Sequence, residues 1–184
     1  MTRFCRFSTL SIALLAAGGC ATTQEQDCAR HEQEVRETKP ATIYRIVEPK
    51  PNQPAWRTLP SGSTAQVSTY KLSFRPPYTT TCHTIALHKD VVIQRSSDAD
   101  VILTEIREFY ADDGSLITTS SEDITDQVKR SGNYVATTPL PIPKAAPPGK
   151  YRIVNKLVFD RRGKGRAPVP IARGEGYFYI VPRE

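Results

Sequence analysis

The sequence predicts an all-β fold, an antiparallel β-sandwich of about seven or eight strands, with a small β-barrel as the alternative. Two observations predict it. From Ala41 onward, short runs rich in Val, Ile, Thr and Tyr alternate with turn residues. In the same stretch, a helical spacing of apolar residues is confined to 123–130, where Ile124 and Val128 share a face and predict one or two helical turns.

Turn signals set the boundaries of the predicted strands. Asp112-Asp113-Gly114 predicts a hairpin, and Ser131-Gly132-Asn133 predicts a second turn. Four prolines within 49–60 interrupt regular structure up to Gly62. The proline-rich segment 139–148 predicts an extended connection, because proline has no N–H to donate to a strand ladder. The predicted strands are 42–47, 65–74, one within 81–94, one within 101–110, 115–119, 134–138, 150–160 and 177–181.

Segment 150–160 is the clearest predicted strand. Its large apolar residues alternate with charged ones, as expected for a strand with one buried face: Tyr151, Ile153, Leu157 and Phe159. The entry Pro147-Pro148-Gly149-Lys150-Tyr151 resembles the late strands of immunoglobulin-like modules, in which a proline-glycine turn introduces a strand with an inward tyrosine. The resemblance implies the architecture of an immunoglobulin-like sandwich. The Cys and Trp spacing of a true immunoglobulin domain is absent.

The first twenty residues predict an exported protein. Arg3 and Arg6 precede the short, uncharged and largely apolar stretch 7–17, which is a secretory signal pattern. The following Ala17-Gly18-Gly19-Cys20 resembles the bacterial lipobox. That resemblance implies a signal peptide of residues 1–19, cleavage before Cys20, and lipidation of Cys20 with several acyl chains. Ala21 and Thr22, with no Asp at the second position, resemble the pattern of lipoproteins sent to the outer membrane, where this one would face the periplasm.

Size and charge describe the mature chain. Residues 20–184 suffice for one domain, predicted at 41–184, after a polar segment at 20–40 that can form a helix and serves as a tether. The chain has 25 Lys and Arg against 19 Asp and Glu, and loss of Arg3 and Arg6 leaves 23 against 19. This small excess disfavours a nucleic-acid-binding protein, in which basic residues are concentrated on one face.

The cysteines predict one disulfide. Cys5 leaves with the signal peptide and Cys20 takes the lipid, so Cys28 and Cys82 remain as a pair. In an oxidising compartment an even remainder favours a bridge. The alternative is a flexible Cys28 and a buried, reduced Cys82.

No motif predicts catalysis, a metal or a cofactor. A nucleophile elbow, a phosphate loop and a spaced zinc-ligand set are all absent, although a triad assembled from distant residues would leave no local signature. Isolated candidates have more ordinary interpretations as surface histidines, turn-capping acids or unrelated carboxylates: His31, His83, His88, Asp98, Asp100, Asp112, Asp113, Glu105, Glu108, Glu122 and Asp123. The chain is therefore predicted not to be an enzyme.

A basic loop is the candidate binding site. Arg161, Arg162, Lys164, Arg166 and Arg173 lie between the last two predicted strands with no acidic residue among them. Guanidinium and ammonium groups bind phosphates and carboxylates, so the patch predicts an anionic glycolipid or an acidic protein as partner. The alternative is a solvated hairpin tip.

Together these features predict a lipid-anchored, non-enzymatic binding or accessory subunit of an envelope complex. An immunoglobulin-like scaffold binds through loops and sheet edges, and a tether holds it near one partner at high local concentration. Two other functions are weighed against it, an inhibitor of a foreign hydrolase and a hydrolase with a dispersed triad.

Overall fold

A computed structural model describes residues 21–49, 59, 64–96, 101–161 and 168–183. One helix, α1 (Ala21–Thr38), precedes nine strands in this part of the chain. The strands are β1 (Ile43–Val47), β2 (Ala65–Phe74), β3 (Tyr78–Thr79), β4 (Thr84–Arg95), β5 (Val101–Tyr110), β6 (Leu116–Asp123), β7 (Gly132–Pro141), β8 (Gly149–Arg161) and β9 (Val169–Ile180).

The strands form two sheets, with orders β1-β7-β4-β2 and β3-β9-β8-β5-β6. All neighbouring pairs are antiparallel except the short parallel pair β3–β9. The predicted antiparallel, immunoglobulin-like sandwich is therefore confirmed. The strand in excess of the prediction is β3, whose two residues are too few to show a period in sequence.

Several strand boundaries differ from the prediction. β7 begins at Gly132, inside the predicted turn at 131–133, because β4 pairs with Gly132 and Asn133. β6 runs on to Asp123, β7 reaches Pro141, and β9 begins at Val169, well before residue 177. Pro139 and Pro141 fit within β7 because β1 pairs only with residues 133–137, so both prolines lie beyond the part that β1 covers.

The segment 123–130, predicted to form one or two helical turns, contains one turn. The N–H groups of Gln127 and Val128 both donate to the carbonyl of Ile124, each at 3.0 Å. Ile124 and Val128 are both buried, as their shared face predicted. The turn therefore closes one end of the core without adding a helix.

The core consists of two apolar clusters with polar residues between them. The first cluster is built on Val91, Ile93, Val101, Leu103, Ile124, Val128, Tyr134 and Leu157. The second is built on Phe74, Ile85, Leu87, Leu140, Ile142, Tyr151, Ile153, Phe178 and Ile180. Each cluster takes residues from both sheets, so burial of apolar surface holds the sheets together at both ends of the sandwich.

The predicted disulfide joins Cys28 to Cys82 and fixes α1 to the sandwich. Both cysteines are buried, at 5% and 7% exposure, although α1 is otherwise largely polar and exposed. A surface ion pair between Glu25 and Lys144 (2.9 Å) adds a second contact. The polar segment is therefore helical and attached to the domain. Within the described part of the chain, no helix is both long and apolar enough to cross a bilayer.

Candidate functional site

An apolar groove opens at one side of the sandwich, at the end that carries the second apolar cluster. It has a volume of about 430 Å³, within the usual range of small-ligand pockets. Apart from Thr118, its lining is apolar: Phe109, Ile117, Leu140, Pro141, Ile142, Pro143, Ala145, Ala146, Pro147, Tyr151, Phe178 and Ile180. The lining therefore suits an apolar ligand or an apolar segment of a partner.

The groove exists because the two sheets do not match in length along this side. The first residue of β1, Ile43, pairs with Thr137, whereas β7 continues for four more residues without a β1 partner. The start of β6 lies on the other sheet, and no described strand covers the space between it and the end of β7. The apolar residues below this gap are therefore partly open to solvent.

The proline-rich loop that follows β7 forms one rim of the groove, and several contacts hold it in place. The N–H of Cys82 donates to the carbonyl of Ile142 (2.9 Å), and the N–H of Ile142 donates to the carbonyl of His83 (2.8 Å). Lys144 in the same loop pairs with Glu25 of α1. The disulfide, the start of α1 and the groove rim are therefore linked by direct contacts.

The other rim is formed by β6, an edge strand with exposed apolar residues. Leu116 and Ile117 are 55% and 52% exposed. Tyr110 pairs with Leu116 and Phe109 pairs with Thr118, so Ile117 is the extra residue of a β-bulge. Bulges re-aim side chains at sheet edges, and the bulged Ile117 lines the groove while Leu116 does not.

A layer of polar residues lies between the two apolar clusters and is the least expected feature of the interior. It consists of Tyr44, Lys89, Glu105, Arg107 and Asn155, which we call the polar layer, and all five are buried. Glu105 accepts hydrogen bonds from the Lys89 ammonium, from the Asn155 amide and from the Tyr44 hydroxyl, the last at 2.8 Å. One carboxylate therefore satisfies three donors in the centre of the protein.

The polar layer extends outward to the β1–β6 side of the sandwich. Arg107 donates to Glu122 (3.0 Å) and to the hydroxyl of Thr42 (2.8 Å). Glu122 also accepts from the N–H of Thr42 at 2.9 Å, and the Thr42 and Thr138 hydroxyls lie 2.8 Å apart. These contacts join the edges of the two sheets, so the polar layer has a structural role in holding the sandwich closed.

The environment shifts the pKa values in this layer. Burial lowers the pKa of Lys89 to about 8, although the neighbouring Glu105 carboxylate acts in the opposite direction. Burial alone would raise the pKa of Glu105, but the Lys89 ammonium and the Asn155 amide outweigh it and hold that pKa below its usual value. Burial also raises the pKa of Tyr44. Both side chains of the Lys89–Glu105 pair are completely buried, so these shifts follow from the packing of the core.

The predicted basic patch falls largely outside the described residues. Arg162, Lys164 and Arg166 lie in 162–167, and the side chain of Arg161 is likewise not described. Arg173 pairs with Glu175 at 2.6 Å. Glu175 was not part of the predicted patch, and it offsets the charge of Arg173. Cys20 also lies outside the described residues.

Of the isolated acidic candidates, Asp98 and Asp100 lie outside the described residues. Glu105 is buried, whereas Glu108 is on the opposite face of β5 and binds Lys156, so the two carboxylates do not form a pair. Asp113 accepts the N–H of Ser115 at 2.8 Å and caps its own turn. Among the described residues, no three His, Cys, Asp or Glu side chains are placed to hold a metal ion.

Neither the groove nor the polar layer was identified from sequence. The polar layer did leave a signal, since Lys89, Glu105 and Asn155 each occupy an inward position of an alternating strand. The groove left a weaker signal, the run of prolines and alanines at 139–148. Its lining comes from several strands that become neighbours only in the folded protein.

Comparisons with known proteins give only distant structural similarities. No family model and no curated protein matches the chain. Among solved structures, the C-terminal domain of Wzt is 15% identical, covering 82% of this chain and 86% of that one, with a TM-score of 0.47. The CARDB domain of a Pyrococcus furiosus protein, solved with two metal ions, is 11% identical over 64% and 87% of the two chains, with a TM-score of 0.33. At these identities and TM-scores, the similarities support no conclusion about this protein.

Proposed function

We propose that this protein is a lipid-anchored, non-enzymatic binding module that acts as an accessory subunit of a bacterial envelope complex. The observation that carries the proposal is the attachment of α1 to the sandwich by the Cys28–Cys82 disulfide. Cys20 immediately precedes α1, and a helix rises about 1.5 Å per residue, so the first helical residue lies about 10 Å along the axis from Cys28. A lipid on Cys20 would hold one end of the sandwich close to the membrane.

Two further features support the proposal, one concerning export and one concerning binding. Disulfides persist in oxidising compartments, which agrees with export. The apolar groove lies at the end of the domain that contacts α1, because Lys144 in its rim loop pairs with Glu25. A partner held on the same membrane would meet this surface at high local concentration.

Fatty-acid labelling in cells tests the anchor. We expect an alkyne-tagged fatty acid to label the wild-type protein and the Cys5→Ala variant, because Cys5 lies within the predicted signal peptide. The Cys20→Ala variant should carry no label and should leave the membrane fraction. Label retained on Cys20→Ala would contradict lipidation at this residue.

Cross-linking in native membranes, followed by purification and mass spectrometry, tests the accessory role. A reproducible envelope complex that depends on Cys20 would support it. A tight one-to-one complex with a soluble hydrolase would instead support an inhibitor. Charge reversal at Arg161, Arg162 and Lys164 tests the basic patch in the same assay, and recovery of the same partner after that change would remove the patch from the proposal.

A further inference from the structure

One side of β6 is an unpaired sheet edge in the described part of the protein. β6 pairs with β5 on its other side, and no described strand pairs with the free one. Its first six residues, 116–121, are uncharged, and Leu116 and Ile117 are about half exposed. An exposed and uncharged edge strand is a template for another strand, because its backbone donors and acceptors on that side have no partner within the sheet.

The direction of the free backbone groups follows from the β5–β6 ladder. The N–H of Ile124 donates to the carbonyl of Leu103 at 2.9 Å. In an antiparallel pair, alternate residues bond to the same neighbour, so the N–H groups of Ser120 and Glu122 point toward β5. Those of Thr119 and Ser121 point to the free side. They are the donors available to an added strand.

Other edges in the described part of the protein are protected against strand addition. On β1, the N–H of Tyr44 donates to the side chain of Gln127 at 2.9 Å, and the N–H of Thr42 just before it is bonded to Glu122. Beyond β1, β7 has Pro139 and Pro141, which have no N–H. β2 has a bulge, and β3 has two residues. The part of β9 that β3 does not pair carries the charged Arg173 and Glu175. This contrast makes β6 the preferred site.

The free edge and the apolar groove share residues. Ile117 and Thr118 belong to β6 and also line the groove. A strand added to β6 would therefore direct alternate side chains into the groove. At about 30 Å³ for each water-sized group, the 430 Å³ volume holds about 14 carbon-sized groups. That corresponds to roughly three aliphatic side chains of four carbons each.

We infer that β6 and the apolar groove bind an extended segment of a partner protein by β-strand addition. The recognised segment has apolar side chains at alternate positions and no charge on the face that enters the groove. Backbone hydrogen bonds to β6 supply affinity, and the groove selects the side chains. An acyl chain would use the apolar lining but would leave the open edge unused. The inference rests on the proposed binding function and names the chemistry of the partner.

Synthetic peptides provide the test. The full lipidated protein is placed in nanodiscs of phosphatidylethanolamine and phosphatidylglycerol. It is titrated with fluorescent peptides as long as β6, eight residues, in which Thr alternates with Val, Leu, Ile or Phe. We expect saturable binding by fluorescence anisotropy for at least one peptide, and none for its scrambled sequence.

Two pairs of variants separate the groove from the edge. Ile117→Glu places a carboxylate at the groove, whereas Leu116→Glu places it at a neighbour that is equally exposed and does not line the groove. Thr119→Pro removes an outward N–H, whereas Thr119→Val keeps it. We expect Ile117→Glu and Thr119→Pro each to weaken binding about tenfold or more, and the two controls to change it less than about twofold.

Amide hydrogen exchange gives a readout that does not depend on a variant. In the wild-type protein, peptide binding should slow exchange at Thr119 and Ser121. The inference is overturned if no peptide binds up to about 1 mM, or if Thr119→Pro folds and binds as the wild type does. It is equally overturned if a fluorescent long-chain fatty acid binds in the groove, is lost in Ile117→Glu and is unaffected by Thr119→Pro. These results leave the lipid anchor untouched, because the anchor is tested separately at Cys20.

Discussion

Replacing Glu105 by Gln should strongly destabilise the protein. The change keeps the size of the side chain but removes the negative charge that faces the Lys89 ammonium. Both side chains of this pair are completely buried, so water cannot compensate the remaining charge. Breaking a buried ion pair by removing one partner typically costs about 3–5 kcal/mol. We expect a loss of about 3 kcal/mol, because the amide oxygen of Gln still accepts one hydrogen bond.

The double variant Lys89→Met/Glu105→Gln should recover most of that loss. Met is similar in length to Lys and carries no charge, so the desolvation cost disappears together with the attraction. Replacing a whole buried pair is often neutral or stabilising. We therefore expect the double variant to lie within about 1 kcal/mol of the wild type. Gln at position 105 still accepts a hydrogen bond from Tyr44 or Asn155.

Urea unfolding followed by far-ultraviolet circular dichroism measures these differences, with the disulfide kept oxidised. Equal slopes with respect to urea concentration in the three proteins would show that the midpoints report stability. If the double variant were no more stable than Glu105→Gln, then the uncompensated Lys89 charge would not be the cause of the loss. That result would refute charge compensation by Glu105 as the reason for the stability of the polar layer.

The same pair predicts how stability changes at alkaline pH. The folded-state pKa of Lys89 is about 8, below its ordinary value of about 10.4, because the side chain is buried. Between these two values the unfolded chain binds more protons than the folded one, so the free energy of unfolding should rise with pH. From about pH 8 to about pH 9.5 this contribution is at most about 2 kcal/mol. The double variant should lack the rise, and an identical rise in both proteins would assign it to other groups.

Two further predictions concern the disulfide and the protected edge of β1. Loss of the Cys28–Cys82 bridge by reduction, or by replacing both cysteines with Ser, should lower stability by about 4 kcal/mol, since the bridge closes a loop of 54 residues; urea midpoints with and without dithiothreitol measure the difference. Gln127→Ala should cost about 1–3 kcal/mol, because its side chain bonds both the Tyr44 N–H and the Thr42 carbonyl. Exchange of the Tyr44 amide hydrogen should then become faster, and unchanged exchange would argue against protection of the β1 edge by Gln127.

The fold was largely predictable because alternation of apolar and polar residues reports on burial directly. β2 and β5 have the predicted bounds, and β8 contains the whole of its predicted segment. The prediction of β9 was too short because 169–176 includes Arg173, Gly174, Glu175 and Gly176, which look like a loop. In the structure β8 pairs with these residues, and tertiary pairing overrides their low strand propensity.

The candidate site was not predictable from sequence, because it depends on which strands become neighbours. In the sequence, Glu105 stands out only as one of a pair of carboxylates with Glu108. A strand has a period of two, so these two residues, three apart, lie on opposite faces. Asn155 weakens the alternating pattern of β8 in sequence, yet its side chain is inside and donates to Glu105. An inward polar residue in one strand predicts nothing until the strand that supplies its partner is known.

The polar layer has a consequence for how the strands align during folding. A slip of two residues by β4 would keep every apolar side chain on the correct face, so hydrophobic pattern alone does not exclude it. Such a slip would move the Lys89 ammonium by about 7 Å, away from Glu105 and into an aliphatic layer. The buried Lys89–Glu105 pair therefore selects the native register of β4, which the apolar residues alone do not distinguish from a register shifted by two. We expect the Lys89→Met/Glu105→Gln variant to be stable and yet to show doubled amide resonances along β4, as slipped and native registers become close in energy.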